Sequence, residues 1–522
     1  MVLLTFVFLP ILIGLLQYII PFKRRLILAL SVQAVLFSCL AYLWFGGNIP
    51  HTEYLLATKP PVGMSLKIDA LSFGLLLLST FIFTMLHTFA LHAKYYEKKF
   101  IFLFMSLQGL IHGVFLSTDF FNVYLLLEVA TVVASILIMY KKDRKSINDG
   151  MIYLMSNMIA MAFFLMGLGY LYKIFGVLSF DAIAGLRNQH TLQELVLPLA
   201  FLLTGISLKS AILPLSSWLP KAHGTASAPI VVSALLSGIF VKTGIYVFIR
   251  MQSILIPDGQ LNEFFIFIGI LTAFAGVLLA LIQVDIKLIW AYSTVSQMGW
   301  IMLGLNSASP DGFEGATLHI VAHGLYKTTL FLGSGLLVSL YGSRDIHNMK
   351  GLMRRAPLVG IPMFIGLLSM TGAPFTVGYA SKKLLKYGAG YHFSEWIILG
   401  LTVLSATYLI RFMPVLFGKY TPDIQLCPYK VHKSQWLPLW ILSGASLFSV
   451  FLAYDLGDVS KLLHAIPNYL LILAGGFIVH FLLKQVGEET YHKLRKVDLT
   501  FNSLAFMILL VFVALIQFTV HQ

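Results

Sequence analysis

Charge and sulfur are scarce in this chain. Of its 522 residues, 11% are charged and two are cysteine. Cys39 and Cys427 are too few for a disulfide framework or a thiolate metal site. The sequence contains no CxxC cluster, no GxGxxG after a strand and no P-loop. No flavin, nicotinamide, iron–sulfur cluster, nucleotide or other cofactor, and no metal, is therefore expected on the chain. Long polar stretches are missing as well. The longest loops, near 47–68 and 418–435, leave no room for a soluble domain.

What fills the chain is apolar. Hydrophobic residues make up 58% of it and the mean hydropathy is +0.86, which excludes an ordinary soluble globule. Runs of about 18 residues or more, each able to cross a hydrocarbon core of about 30 Å, recur from end to end. Sixteen are read: 2–20, 26–46, 70–91, 100–117, 119–140, 149–175, 194–214, 228–250, 262–283, 286–305, 315–341, 356–381, 393–413, 436–454, 467–484 and 501–520. The expected fold is all-α and polytopic, with about 14–16 transmembrane helices. The first run carries no small-residue cleavage site before PFKRR, so it reads as a retained helix rather than a signal peptide.

The net charge of +14 has a topological origin. Of the 36 Lys and Arg residues, 24 fall in alternate loops: Lys23 to Arg25, Lys94 to Lys99, Lys141 to Lys145, Lys221, Lys287, Arg344 to Arg355, Arg411 to Lys433, and Lys484 to Lys496. That is the positive-inside pattern, with both termini outside a cell (inner) membrane. The bilayer, not nucleic acid, is the partner the charge implies.

A weak repeat organises the spans. Spans four to eight (100–250) and nine to thirteen (262–413) form two five-helix sets, between an N-terminal group (1–99) and a C-terminal group (414–522). An odd number of crossings inverts the second set relative to the first. In each set proline interrupts the fourth span, at Pro214 and, within MTGAPFTVGYASKK, at Pro374. Paired broken helices point to an ion pathway, because unwound backbone is tolerated only beside protein or water.

Ionisable residues interrupt the apolar runs near those breaks. Glu128 lies nine residues past Asp119, and Lys209 precedes the first break. Lys242 sits in SGIFVKTGIYVFIR, and Lys382 follows the second break. In LHIVAHGLYKTTLFL, His319, His323 and Lys327 recur at i, i+4 and i+8 on one helical face. An ionised side chain at mid-membrane costs about 2.5–3.5 kcal/mol, so such groups are expected to face one another and water, as one hydrated wire. A Glu–Lys pair of changing separation can load and release a proton, and histidines suit relay. Plainer readings stand beside these. A lone lysine can snorkel to the interface, Glu128 can serve packing, and the histidines can be interhelical hydrogen-bond partners. His223, in PKAHGTASAP, sits by the inner mouth, where gating and simple solvation both fit. Lys287, beside Asp285 in VDIKLIWAYST, fits an entry point or a boundary anchor.

At these residues the chain resembles the antiporter-like membrane subunits of respiratory complex I, Mrp-type cation/proton antiporters and energy-converting hydrogenases. STDFFNVYLLLEV, LKSAILPLSSWLPKAHGTASAPIVVSALLSGIFVKTGIY, DIKLIWAYSTVSQMGWIMLGL and HIVAHGLYKTTLFL carry the resemblance, over about residues 65–415. It implies proton translocation through two inverted half-channels joined by a polar axis. It also implies a role for each group: Glu128 as the span-five glutamate, Lys209 as the broken-helix lysine and Lys242 as the connecting lysine. His319, His323 and Lys327 would form the second-half relay, with Lys382 as the exit-side group. AYST stands where the corresponding Mrp-type chains carry AYHT, and the spans at 467–484 and 501–520 exceed their usual fourteen.

The expected function is that of a proton-conducting subunit working with other membrane subunits, first as a monovalent cation/proton antiporter module exchanging Na+ or K+. The alternatives are a subunit of a redox-driven complex, the membrane partner in proton-driven inorganic-carbon uptake, and a non-conducting scaffold. Costly buried charges argue against the last.

Overall fold

The computed structural model describes residues 1–20, 25–54, 63–224, 228–389, 395–419, 427–452, 459–486 and 501–520. Part of the basic loop sequence, including Lys23 and Lys493 to Lys496, lies outside them. The chain divides into two compact units, Met1–Leu261 with Thr500–Gln522, and Asn262–Leu499.

In the first unit α1 (Val2–Ile19), α2 (Arg25–Phe45) and α3 (Ala70–Ala90) precede α4 (Lys98–Leu116), α5 (Phe120–Ile138) and α6 (Arg144–Phe175). The seventh span is split into α7 (Val196–Lys209) and α8 (Trp218–Gly224). The eighth runs through α9 (Ile230–Leu235), a π-turn at Leu236–Phe240, and α10 (Val241–Leu255).

The second unit opens with α11 (Asn262–Ile282), α12 (Ile286–Leu305) and α13 (Pro310–Tyr341). A second split span follows, α14 (Pro357–Thr371) and α15 (Val377–Ala389), then α16 (Glu395–Phe417), α17 (Lys433–Phe448) and α18 (Ile466–Gln485). The last helix, α19 (Phe501–Val520), belongs to the first unit and packs on α6 and α7. There the Phe512 ring lies 4.4 Å from Phe201 and 5.5 Å from Phe163.

Every one of the sixteen apolar runs is therefore helical among the described residues, and the chain is a multi-pass membrane protein. Among the described residues, eleven of the helices are long and apolar enough to span by those measures alone. The other five are the two broken spans, the short α17, and α12 and α13, whose hydropathy the polar residues dilute. One expectation needs correction. The 47–68 segment, read as loop, contains an antiparallel pair, β1 (His51–Tyr54) with β2 (Ser65–Ile68), in the register His51 to Ile68. Leu66 and Ile68 are buried, and the alternation SLKI suits a half-buried strand too short to show as a periodic signal.

The repeat is plainer in structure than in sequence. Asp119 caps α5 through the Phe121 and Asn122 amides, and Asp285 caps α12 through those of Lys287 and Leu288. Each aspartate also forms a single antiparallel bridge, Asp119 to Ser179 and Asp285 to Asp345. The helix that follows is 32 residues long in both units and ends on a left-handed glycine, Gly176 at φ +70° and Gly342 at φ +64°. A broken span comes next in each. Capping and length are preserved where side-chain identity is not, because they fix the backbone path.

Candidate functional site

Two polar clusters lie at the two helix breaks, one in each unit. In the first, α7 stops at Lys209, where Ala211 takes φ +54° ahead of Pro214. A helix end leaves carbonyls without intrahelical partners. Trp218, on the first turn of α8, repairs this by donating its indole N–H to the Leu208 carbonyl at 2.7 Å. Gly244 of α10 lets a neighbouring backbone reach the break, since a Cβ there would fall 2.7 Å from Ser210 Oγ and 2.8 Å from its nitrogen.

Lys209 is 2% exposed. Its ammonium donates to Thr131 Oγ1, one turn past Glu128 on α5, and lies 6.0 Å from the Phe240 ring centre. Thr131 in turn donates to the Leu127 carbonyl at 2.7 Å. Glu128 is half-buried, near enough to Lys209 for an electrostatic interaction, and its Oε2 has no hydrogen-bond partner among the described residues. A threonine hydroxyl thus stands at the lysine of the anticipated Glu–Lys pair. Lys242, fully buried, donates to the Ser237 carbonyl at 2.6 Å. Ser237 belongs to the π-turn, a helix irregularity frequent at functional sites.

In the second unit the face His319, His323, Lys327 is fully buried. His319 is held from both sides: Nδ1 lies 2.9 Å from Ser381 Oγ on α15, and Nε2 2.9 Å from Gln297 Oε1 on α12. The same Gln297 oxygen accepts from the Tyr326 hydroxyl at 3.2 Å. The His323 ring lies 5.5 Å from that of Tyr326. Lys327 donates to the Trp290 carbonyl at 3.0 Å and to Ser293 Oγ, below the Trp290 ring.

At the second break α14 ends on Gly372, at φ +81°. Lys382 reaches back from α15 to donate to the Met370 carbonyl at 2.8 Å, a cation set at a helix C-terminus. It is 6% exposed and borders a cavity of about 220 Å³ shared with Lys383, Lys386, Thr371 and Tyr469. Tyr469, on the extra span α18, hydrogen-bonds Thr371 Oγ1 at 2.7 Å.

His223 lies within α8 and is fully buried, so the reading of simple solvation fails: the helix resumes before it. Lys287 is buried on the first turn of α12, where Asp285 pairs with Arg344 at 2.8 Å and anchors the boundary. Thr131, Gln297, Ser293, Ser381 and Tyr326 were not singled out from sequence, because neutral polar residues inside apolar runs carry no signal without their neighbours. Counted from the capping aspartates, Thr131 and Gln297 share one repeat position. Counted back from the glycine caps, Tyr153 and Asn157 of α6, both fully buried, match His319 and His323.

A family model described as NADH:quinone oxidoreductase/Mrp antiporter, transmembrane, matches residues 117–409. NADH-quinone oxidoreductase subunit N of Desulforudis audaxviator is 30% identical over 80% of this chain and 87% of its own length. A D-type Na(+)/H(+) antiporter subunit of Bacillus subtilis is 27% identical over 78% of this chain and 85% of its own length. Among solved structures, a chain of the Mrp complex from Dietzia sp. DQ12-45-1b superposes with a TM-score of 0.78 at 20% identity, covering 96% of this chain and 98% of that one.

Proposed function

Given that the chain belongs to the NADH:quinone oxidoreductase/Mrp antiporter membrane family, we propose that it is the proton-conducting subunit of a multisubunit monovalent cation/proton antiporter. It resides in the cell membrane with both termini outside, as the alternation of basic loops supports.

One observation carries the reading: Lys209 is buried on the last turn before a helix break, bonded to a neutral hydroxyl beside a half-buried glutamate. A fixed structural cation would be matched by a full ion pair, since a buried charge without one is costly. A group bonded to Thr131 and within electrostatic reach of Glu128 can exist with or without its proton. Movement of Glu128 toward or away from it changes which form is favoured.

In the second unit the proton carriers are His319, His323 and Lys327. Gln297 and Ser381 hold the His319 ring by both nitrogens, so a proton accepted at one can leave from the other. Lys382, beside its cavity, is the exit group. Lys242, at its π-turn, is the connecting group of the first unit. His223, buried on the last turn of α8, and Lys287, buried on the first turn of α12, control entry.

The test is proton flux in proteoliposomes holding the whole complex, with Lys209→Ala against wild type. Loss of pH-gradient dissipation on adding Na+ or K+ supports the proposal, whereas unchanged flux identifies a scaffold. The 30% identity to a quinone oxidoreductase subunit favours a redox-driven complex as the second reading. Flux that requires electron transfer by co-purifying subunits would select it.

A further inference from the structure

The second unit contains a basic cavity that the proton pathway does not use. It measures about 420 Å³ and is walled by α16, α18 and the turn after α13. Five basic side chains line it: His347, Lys350, Arg411, His480 and Lys484. Among its described lining residues there is no carboxylate. Arg411 is fixed by bonds from its guanidinium to the Ala280, Leu281 and Gln283 carbonyls at the end of α11. Both Arg411 and Lys484 act electrostatically on His480, so the cations face a common space. On the neighbouring turn Asp345 bonds its own backbone, its Oδ1 accepting the His347 amide at 2.9 Å.

The wall itself is amphipathic along its length. On α18 the residues leading to the cavity are apolar and exposed: Phe477 and Ile478 at 60%, Phe481 at 57% and Leu482 at 56%. A concentrated positive end followed by a bare apolar face matches an amphiphile with an anionic head. Lys350, in the turn after α13, and Arg411 and Lys484, in the C-terminal parts of α16 and α18, belong to the basic excess, which marks the side on which anionic lipids are attracted.

We propose that this cavity binds a phosphoryl anion, delivered as the headgroup of an anionic phospholipid whose acyl chains lie along α18. Lys350 and Lys484 contact the phosphate from the rim, and Arg411 supplies a fixed positive floor. The site is independent of the proton-pathway residues.

The experiment measures binding to the full chain in nanodiscs, by native mass spectrometry and by the thermal shift. Phosphatidylglycerol is compared with phosphatidylcholine, and inorganic phosphate is added in a separate arm. The expected result is retention and stabilisation by phosphatidylglycerol alone, weakened about thirtyfold in K350Q/K484Q. That variant should melt as wild type does in phosphatidylcholine, and K350Q alone should show an intermediate loss. Equal response to inorganic phosphate would overturn the lipid source. Indifference to phosphatidylglycerol would overturn the site itself. Proton flux should survive in K350Q/K484Q when phosphatidylcholine surrounds it, which separates this outcome from failure of the conduction reading.

Discussion

His319 Nε2 and Gln297 Oε1 lie 2.9 Å apart, joining the middle of α13 to α12. The glutamine oxygen also takes the Tyr326 hydroxyl, so one neutral side chain sets the orientation of the ring. Replacing it with leucine removes the acceptor from two buried donors, at about 1–3 kcal/mol. Gln297→Leu should therefore slow proton flux about tenfold or more while the protein still assembles. Stopped-flow acidification in proteoliposomes measures this, and Gln297→Glu should shift the pH profile instead of abolishing flux.

Thr131 holds the ammonium of Lys209. Valine keeps the shape and loses the hydroxyl, leaving a charged donor short of a partner at about 1.5–3 kcal/mol. Thr131→Val should lower flux by about ten- to hundredfold, and Thr131→Ser should restore most of it. If valine conducts as threonine does, the hydroxyl is packing only.

Gly244 faces the backbone of the first break at distances no Cβ tolerates: 2.8 Å to the Ser210 nitrogen and 2.9 Å to the Lys209 carbonyl carbon. Gly244→Ala should cost about 1–3 kcal/mol of overpacking and displace Lys209. The expected signature is a lower melting temperature together with reduced flux, whereas Gly74→Ala, which meets nothing within 4 Å, should be neutral.

At the edge of α3, Asp69 caps the helix and pairs with Arg250 at 2.6 Å. Burial works against its charge, but the Ser72 amide and the Arg250 guanidinium prevail and hold its carboxyl below the usual range. A depressed folded-state value means the contribution is complete above the ordinary carboxylate range, near pH 4. It is lost as pH falls through the lowered value. Asp69→Asn should cost about 1 kcal/mol at pH 7, and the difference from wild type should shrink on acidification to pH 3. Melting curves of the solubilised protein at both pH values decide it.

Much of this was legible in the residues. All sixteen spans were legible as apolar runs, because a bilayer demands about twenty apolar residues wherever the chain crosses it. The breaks at Pro214 and Pro374, and the cost of placing Glu128, Lys209, Lys242 and Lys382 beside them, are also sequence facts, since charge in an apolar run needs no structure to be conspicuous. Thr131, Gln297 and Ser381 escaped because a neutral hydroxyl or amide becomes informative only when a distant partner reaches it. Lys209 meets Thr131 across 78 residues and His319 meets Ser381 across 62.

Composition and periodicity by themselves settled that this protein is a helical bundle in lipid with ionisable groups inside it, for hydropathy acts locally along the chain. Which hydroxyl, carbonyl or amide each of those groups would touch was decided only by tertiary packing. Hydrogen bonds are short and directional, so their partners are chosen by how helices far apart in sequence come to lie side by side.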